Sequence, residues 1–222
     1  MAVVHHTTLK PTKLELLTAW LPTRPWYPGG AGEPELAKAG GFRLDDPEGE
    51  VGIEFMVITD TAGAQPITYL VPLTYRGAPL DGAEHALVGR MEHGVLGQRW
   101  AYDGCHDPVL ITQLLALIEG RVEAQAQSES NTPDRDVTRN FIGDAISAAD
   151  ATDFVTGIAF EDNEGAELST ASGTALRLRR VLHPATNDTS LNVLGDVSAS
   201  WQMADGIRKR ATFAVLHTRA GT

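Results

Sequence analysis

The amino-acid sequence predicts an α+β protein dominated by antiparallel β-sheet, and three observations lead to this fold class. Several segments alternate apolar and polar residues as half-buried strands do, most clearly residues 51–60 and 66–75. One segment, 109–120, has the length, the apolar content and the end signals of a helix. The last third of the chain consists mostly of short strand-like segments between polar turns.

The first 41 residues predict one strand, one helix and one loop. Residues 2–8, AVVHHTT, have the composition of a short strand. Residues 11–21, PTKLELLTAWL, predict a helix, with Pro11 in its first turn and Pro22 at its end. The Gly- and Pro-rich stretch 26–41 predicts a loop.

A run of strands follows. In VGIEFMVITD (51–60) the apolar residues alternate, and PITYLVPLTY (66–75) behaves similarly, with a turn between the two at 60–63. The segment 86–104 predicts one or two further strands, because Gly94 and Gly97 mark a turn or a bulge.

The strongest helix signal is VLITQLLALIEG, residues 109–120. Asp107 is suited to cap its first turn, and Pro108 occupies the first helical position. Gly120 is suited to close it in a left-handed conformation.

The polar segment 125–138 predicts a domain boundary near 125–136. We expect a first domain at 1–125 and a smaller β-rich subdomain at 137–222, unless both halves form one compact unit. Strands are predicted in the second half at 157–162, 175–182, 195–203 and 209–218.

Composition narrows the function classes. The chain has 222 residues, with 18 basic and 29 acidic side chains and a formal net charge of -11. Such an acidic protein is not expected to bind nucleic acid or anionic membranes. No run of about 20 apolar residues predicts a membrane helix. A single cysteine and no visible secretory signal favour the cytoplasm.

The segment RWAYDGCHDPV, residues 99–109, concentrates groups that could carry chemistry. Trp100 and Tyr102 are expected on one face of a strand. Asp103-Gly104 predicts a tight turn, which would leave Cys105-His106 facing solvent. Adjacent residues rarely form a nucleophile–base pair, so we expect no catalytic residue here. If a ligand site exists, we expect it beside this turn, at Trp100, Tyr102, Asp103 and His106.

No metal site and no cofactor are expected from sequence spacing. The chain contains neither H-E-x-x-H nor a pair of cysteines suited to zinc. His85 and His93 could converge with His106 and Asp103 only through tertiary folding. The phosphate-binding motifs G-x-x-x-x-G-K-[ST] and G-x-G-x-x-G are absent, as is the nucleophile elbow G-x-S-x-G.

A basic stretch in this acidic chain, LRLRRVLHP (176–184), has two interpretations. Arg177 and Arg179 share one face of the predicted strand, and Arg180 lies on the other. A solvated strand edge protected by charge is the favoured interpretation. An anion or sugar-phosphate site is the alternative, since a guanidinium offers several donors.

Three stretches of the first half resemble the N-terminal cap of actinobacterial maltokinases. They are TTLKPTKLELLTAWLPTRPWY (7–27), YLVPLTYRGAPLDGAEHALVG (69–89) and VLGQRWAYDGCHDPV (95–109). In that family the cap precedes the kinase lobes. The resemblance covers residues 2 to about 120 and implies a curved antiparallel sheet packed with helices.

The second half is similar to part of the kinase N-lobe. SESNT (128–132) is similar to the nucleotide-loop motif of that family, which implies nucleotide contacts at Asn131 and Thr132. LRLRRVLHPATND (176–188) is similar to a segment in which a Lys holds the ATP phosphates, and Arg177 stands at that position. The family's Gly and second Pro are replaced by Ala185 and Asp188.

The residues that phosphoryl transfer requires do not follow. A kinase needs an Asp that accepts the hydroxyl proton and carboxylates that hold Mg²⁺. The only His-Gly pair, His93-Gly94, is followed by Val95, and DFVTG (153–157) has no catalytic loop before it. We therefore expect a stand-alone cap with a partial N-lobe and no catalytic lobe.

Three functions remain open on the sequence alone. The leading hypothesis is a non-catalytic accessory protein of α-glucan, maltose or trehalose metabolism that binds a protein partner or a small carbohydrate. The second is a pseudokinase-like nucleotide binder that uses Asn131, Thr132 and Arg177. The third is a small enzyme with a site around Asp103, Cys105 and His106.

Overall fold

The computed structural model describes residues 8–29, 32–129, 131–143, 145–183 and 192–219. The strand predicted at 2–8 falls almost wholly outside these residues. The helices are α1 (Lys13–Trp20), α2 (Pro108–Glu119) and α3 (Ala148–Thr156). The strands are β1 (Leu9–Lys10), β2 (Leu36–Leu44), β3 (Gly52–Asp60), β4 (Ile67–Arg76), β5 (Leu87–His93), β6 (Gly97–Asp103), β7 (Gln125–Ala126), β8 (Thr138–Phe141), β9 (Phe160–Glu161), β10 (Gly165–Ser169), β11 (Thr174–Arg179), β12 (Asn192–Gln202) and β13 (Arg208–Thr218).

All described strands belong to one antiparallel sheet. Its main path runs β1-β5-β6-β4-β3-β2-β12-β13-β11-β10-β9, while β7 pairs with β2 and β8 pairs with β12. The predicted α+β fold of curved antiparallel sheet packed with a few helices is confirmed. Among the described residues, none of the helices has the length and apolar character needed to cross a membrane.

The sheet curls strongly enough to bring its second half back onto its first. The segment that follows β11 runs beside the start of β4, where Leu70 N–H donates to Arg180 O at 2.9 Å. Leu182 N–H donates to Thr68 O at 2.8 Å in the same contact. These two backbone hydrogen bonds carry residue 180 into the interior of the protein.

Strands β3 and β4 are buried on both faces, which explains their nearly continuous apolar sequence. The predicted alternation is confirmed: Ile53, Phe55 and Val57 pack into the main core with α2. On the opposite face, Met56 and Ile58 pack against α1 and the loop after it. The chain thus places one helix on each side of the central strands.

Helix α2 has the predicted ends. The Asp107 carboxylate accepts the Val109 backbone N–H at 3.0 Å, Pro108 is the first helical residue, and Gly120 adopts a left-handed conformation with φ of 78°. The Asp107 carboxylate also receives two hydrogen bonds from the Arg76 guanidinium, at 2.6 and 2.7 Å. One buried carboxylate therefore starts α2 and ties it to the end of β4.

Replacing Asp107 with Ala is expected to lower the free energy of unfolding by about 2–4 kcal/mol, because both the cap and the partner of Arg76 are lost. Asp107→Asn keeps an oxygen that can cap the helix, so we expect a smaller loss. Urea denaturation followed by circular dichroism measures both variants, with the exposed Asp81→Ala as the control. Equal stability of Asp107→Ala and Asp81→Ala would contradict the expectation.

The sequence-based boundaries of two early elements are wrong. Pro11 lies before α1, because Thr12 is the cap: its hydroxyl accepts the Glu15 N–H at 3.2 Å, and its own N–H donates to the Glu15 carboxylate at 2.6 Å. The predicted loop 26–41 ends early, since β2 begins at Leu36. A glycine is needed at position 41, because Gly41 has φ of +124° and a Cβ on it would lie 2.0 Å from Phe55 O.

The polar segment at 125–141 lies between the two halves of the sheet. Strands β2 and β12 pair directly only through Gly40 and Trp201. Next to that contact, β7 pairs with β2 and β8 pairs with β12. The connecting segment therefore extends the sheet on both sides of the junction.

Candidate functional site

The turn that follows β6 has the predicted local structure but lies in the interior. Asp103 ends β6 and accepts the Cys105 backbone N–H at 3.2 Å, and residues 104–106 form one 3₁₀ turn. Asp103 and Cys105 are buried, and His106 is partly buried. The predicted solvent-facing turn is wrong, because α2 folds back into the main core and covers the turn.

Arg180 is also placed differently from its predicted position on a solvated strand edge. Its side chain is fully buried. The backbone pairing of residues 180–182 with β4 draws it inward, towards the end of β6. A sequence pattern cannot reveal this pairing, because residues 180–182 and β4 are about 110 residues apart in the chain.

The Arg180 guanidinium binds the Asp103 carboxylate. Its Nη2 donates to the two carboxylate oxygens at 2.5 and 2.6 Å, and lies 3.1 Å from Cys105 Sγ. A second carboxylate, Glu161 of β9, approaches the same nitrogen at 3.8 Å. The ion pair therefore joins the end of β6 to the end of β11.

Trp26 completes this group, which we call the Arg180 cluster (Trp26, Asp103, Cys105, Glu161 and Arg180). The Trp26 indole N–H donates to Glu161 Oε1 at 3.0 Å. Arg180 Cζ lies 5.1 Å from the Trp26 ring centroid, a cation–π contact. Two Arg180 nitrogens, Nε and Nη1, are buried without a hydrogen-bond partner. Such buried donors commonly bind an ordered water.

The environment of the cluster controls its protonation. Burial alone would raise the pKa of Asp103, but the charge and hydrogen bonds of Arg180 outweigh burial and lower it. Burial raises the pKa of the Cys105 thiol far above its usual value, despite the nearby guanidinium. Burial lowers the pKa of His106. Asp103 is therefore charged, while the Cys105 thiol stays protonated and is a poor nucleophile at neutral pH.

Of the histidines that could converge, His85 reaches His106 and His93 does not. His85 Nε2 lies 3.3 Å from His106 Nδ1, with the rings almost perpendicular. His93 lies at the end of β5, where its Nδ1 accepts the N–H groups of Val95 and Leu96. His106 also forms a group with Asp103 and Glu161 in which one ligand atom of each lies within 4.8 Å of the others.

The four residues predicted to bind a ligand face two different environments. Trp100 and Tyr102 share one face, as predicted, and pack with Ala83 and Ala86 in a small apolar cluster. The Tyr102 hydroxyl accepts the Leu80 N–H at 2.9 Å. Asp103 turns inward to Arg180, and His106 lies beside His85. A ligand site that includes all four residues stays a prediction.

The residues predicted to contact a nucleotide lie on different parts of the sheet. Arg177 is on β11, whereas Asn131 and Thr132 are beside β7, and β12 and β13 lie between these strands. The Arg177 guanidinium donates to the two carboxylate oxygens of Asp162, at 2.8 Å each. Glu164 and Glu167 approach it at 3.8 and 3.6 Å. These carboxylates neutralise the charge that a phosphate would need.

Two surface clefts lie away from the 99–107 turn, near the junction of the two half-sheets. One, of about 440 Å³, is lined by parts of β2 and β12 together with Asp134, Asp136 and Arg208. The other, of about 390 Å³, lies between the end of α2 and the segment 133–139. Neither cleft includes a residue of the Arg180 cluster.

The sequence did not predict that Trp26, Glu161 and Arg180 belong to the Arg180 cluster. Trp26 lies in the core beside α1, and its contact with Glu161 spans 135 residues of sequence. Arg180 and Asp103 are 77 residues apart.

Comparison with known families gives one match. Residues 20–107 match the family model of the maltokinase N-terminal cap domain. No curated protein matches the chain. The matched region begins at the end of α1, includes β2 to β6 and ends at the cap of α2, so it contains Trp26, Asp103, Cys105 and His106 but neither Glu161 nor Arg180. Residues 20–107 of this chain are therefore similar to the maltokinase N-terminal cap domain.

Proposed function

We propose that this chain is a non-catalytic accessory protein of maltose, α-glucan or trehalose metabolism that binds a partner enzyme. The match of residues 20–107 to a maltokinase cap supports the metabolic context. A cytoplasmic location, and the division into a cap-like part and a β-rich part near 125–136, belong to the same proposal.

An open, apolar edge of the sheet carries the proposal. Strand β9 ends the sheet, where β10 is its only neighbour in the described sheet. Two large apolar side chains lie at this edge, Ile158 with 85% and Phe160 with 70% of the residue exposed. Exposed apolar groups beside an unpaired strand edge suit the addition of a strand from another protein.

The charges near this edge favour a basic partner segment. The turn after β9 presents Asp162 and Glu164, and the Glu164 side chain is 85% exposed. Two guanidiniums, Arg177 and Arg219, approach the three carboxylates of Asp162, Glu164 and Glu167, and His217 lies 3.6 Å from Glu167. A second copy of this chain would bring like charges together at the edge. We therefore propose an extended partner segment with apolar and basic side chains.

Replacing Phe160 with Ser is expected to weaken partner binding by about tenfold or more, because aromatic anchors dominate such contacts. The measurement is isothermal titration of purified enzymes of maltose, α-glucan and trehalose metabolism into the full chain. Val95→Ser is the matched control: Val95 is 62% exposed at the β5–β6 turn, away from β9. We expect it to bind as the unaltered chain does.

Two outcomes of the same titrations would contradict the proposal. If none of the enzymes binds, or if Phe160→Ser and Val95→Ser bind equally well, partner binding at β9 is wrong. Binding of maltose or trehalose by the chain alone would support a carbohydrate-binding function instead.

The proposal that the chain is not an enzyme has a separate test. Asp103 is engaged by Arg180 and the Cys105 thiol is buried, which supports the absence of a catalytic group at this turn. We expect no transfer of phosphate from ATP to maltose by the purified chain. Phosphorylation of maltose that survives repurification would overturn the proposal. The nucleotide-binding alternative predicts ATP binding that Arg177→Ala abolishes.

A further inference from the structure

Two histidines from different parts of the sequence meet beside the Arg180 cluster. His85 belongs to the short turn Glu84–Ala86, and His106 to the turn Gly104–His106. Their nearest ring nitrogens, His85 Nε2 and His106 Nδ1, are 3.3 Å apart. The ring centroids are 4.7 Å apart and the rings are inclined by 84°.

This nitrogen–nitrogen distance is close to the distance between two ligand atoms of a tetrahedral metal site. Two imidazole nitrogens that each lie about 2.0–2.1 Å from one zinc ion are roughly 3.4 Å from each other. A straight N–H···N contact with the observed nitrogen separation would hold the ring centroids further apart than 4.7 Å. The in-plane axis through each ring nitrogen is therefore inclined to the line between the two nitrogens, which is compatible with coordination of one shared ion.

The surroundings supply access and negative charge. His85 is exposed, so an ion at this position can keep water molecules in its remaining coordination positions. On the protein side, potential ligand oxygens of Asp103 and Glu161 lie within 4.8 Å of an imidazole nitrogen of His106. The Asp103 carboxylate is hydrogen-bonded to Arg180 at 2.5 Å, whereas Glu161 lies 3.8 Å from the same guanidinium nitrogen. Glu161 is therefore the carboxylate that can more easily turn towards an ion.

The positive charges nearby limit the affinity of such a site. Arg180 neutralises Asp103, and Arg24 Nη1 lies 3.7 Å from Glu161 Oε2. The local carboxylates and guanidiniums balance in number. We therefore expect the affinity for a metal ion to depend mainly on the two imidazoles, with little contribution from the net charge of the surrounding side chains.

We propose that His85 Nε2 and His106 Nδ1 together bind one divalent transition-metal ion of the zinc class, with water completing its coordination. Imidazole pairs bind zinc, copper and nickel but have little affinity for magnesium or calcium. The ion would link the Glu84–Ala86 turn to the turn before α2. The two histidine ligands lie outside β9 and zinc binding is measured without a partner protein, so either proposal can fail without the other.

Isothermal titration of zinc into the full chain tests the site. All variants carry His5→Ala and His6→Ala, because adjacent histidines near the N-terminus can bind the same ions. We expect one zinc ion per chain, and a loss of affinity of about tenfold or more in His85→Ala and in His106→Ala. His93→Ala is the matched control and is expected to bind zinc unchanged. Glu161→Gln is expected to weaken binding by a smaller factor.

A second measurement follows coordination directly. Cobalt(II) bound to two imidazoles absorbs visible light, and this absorption disappears when zinc displaces the cobalt ion. Both histidine variants are expected to lack the absorption. Circular dichroism confirms that each variant is folded. Absence of zinc binding at concentrations up to about 1 mM, or equal binding by the His85→Ala/His106→Ala double variant and the control, would overturn the proposal.

Discussion

Replacing Arg180 with Met is expected to lower the free energy of unfolding by about 3–5 kcal/mol, because the substitution leaves the Asp103 carboxylate buried without a compensating charge. Asp103 is fully buried, and Arg180 donates to both of its oxygens. The substitution also removes the cation–π contact with Trp26. Urea denaturation at neutral pH, followed by tryptophan fluorescence and circular dichroism, measures the loss.

Two controls separate the lost ion pair from lost packing. Arg135→Met changes an exposed guanidinium and is expected to alter stability by no more than about 0.5 kcal/mol. The double variant Arg180→Met/Asp103→Leu removes both charges and is expected to recover a large part of the stability. A cost for Arg180→Met similar to that of Arg135→Met would show that the ion pair contributes little.

The stability difference between the unaltered chain and Arg180→Met is expected to narrow as the pH falls from 7. In the unaltered protein Arg180 lowers the pKa of Asp103, so this carboxylate stabilises the fold above its unfolded pKa and loses that effect only in strong acid. In the variant, burial without Arg180 raises the pKa of Asp103. Protonation of Asp103 then removes the unpaired buried charge, so the variant recovers part of its stability at mildly acidic pH.

Phe42→Ala is expected to lower the free energy of unfolding by about 3–5 kcal/mol, since Phe42 is fully buried in the main core. Its ring stacks on Phe55 of β3, with centroids 4.6 Å apart, and lies 6.2 Å from the ring of Phe213 in β13. The side chain therefore contacts aromatic rings from both halves of the chain. Phe42→Leu keeps most of the volume and is expected to cost much less.

The same denaturation curves test the proposed boundary near 125–136. If both halves unfold together, Phe42→Ala shifts a single transition, and fluorescence and circular dichroism give the same midpoint. If the halves unfold separately, only part of the signal shifts. An unchanged midpoint for Phe42→Ala would contradict the shared core.

Elements with strong local signals were predicted closely. Helix α2 has the expected cap, first residue and closing glycine, because Asp107, Pro108 and Gly120 act through neighbours within four residues. Strand β3 has the expected alternation, since apolar residues on one face pack on α2. These features depend on backbone geometry and side chains that are close in sequence.

Elements with weak local signals were missed. Helix α3 was not predicted: it buries only Phe154 and is much less apolar than α2. Strand β10 was overlooked because its identity depends on pairing with β9 and β11. Burial by distant partners, and not local preference, makes this segment a strand.

The fold class, the resemblance of the first half to a maltokinase cap and the local structure of the turn after β6 could all be predicted without the structure. The folded chain was needed to show that Arg180 enters the interior, that Glu161 and Trp26 join it, and that His85 meets His106. The two groups of features differ in the sequence range of the interactions that produce them. Turns and caps depend on residues a few positions apart, whereas a buried charge needs a partner that long-range strand pairing brings to it.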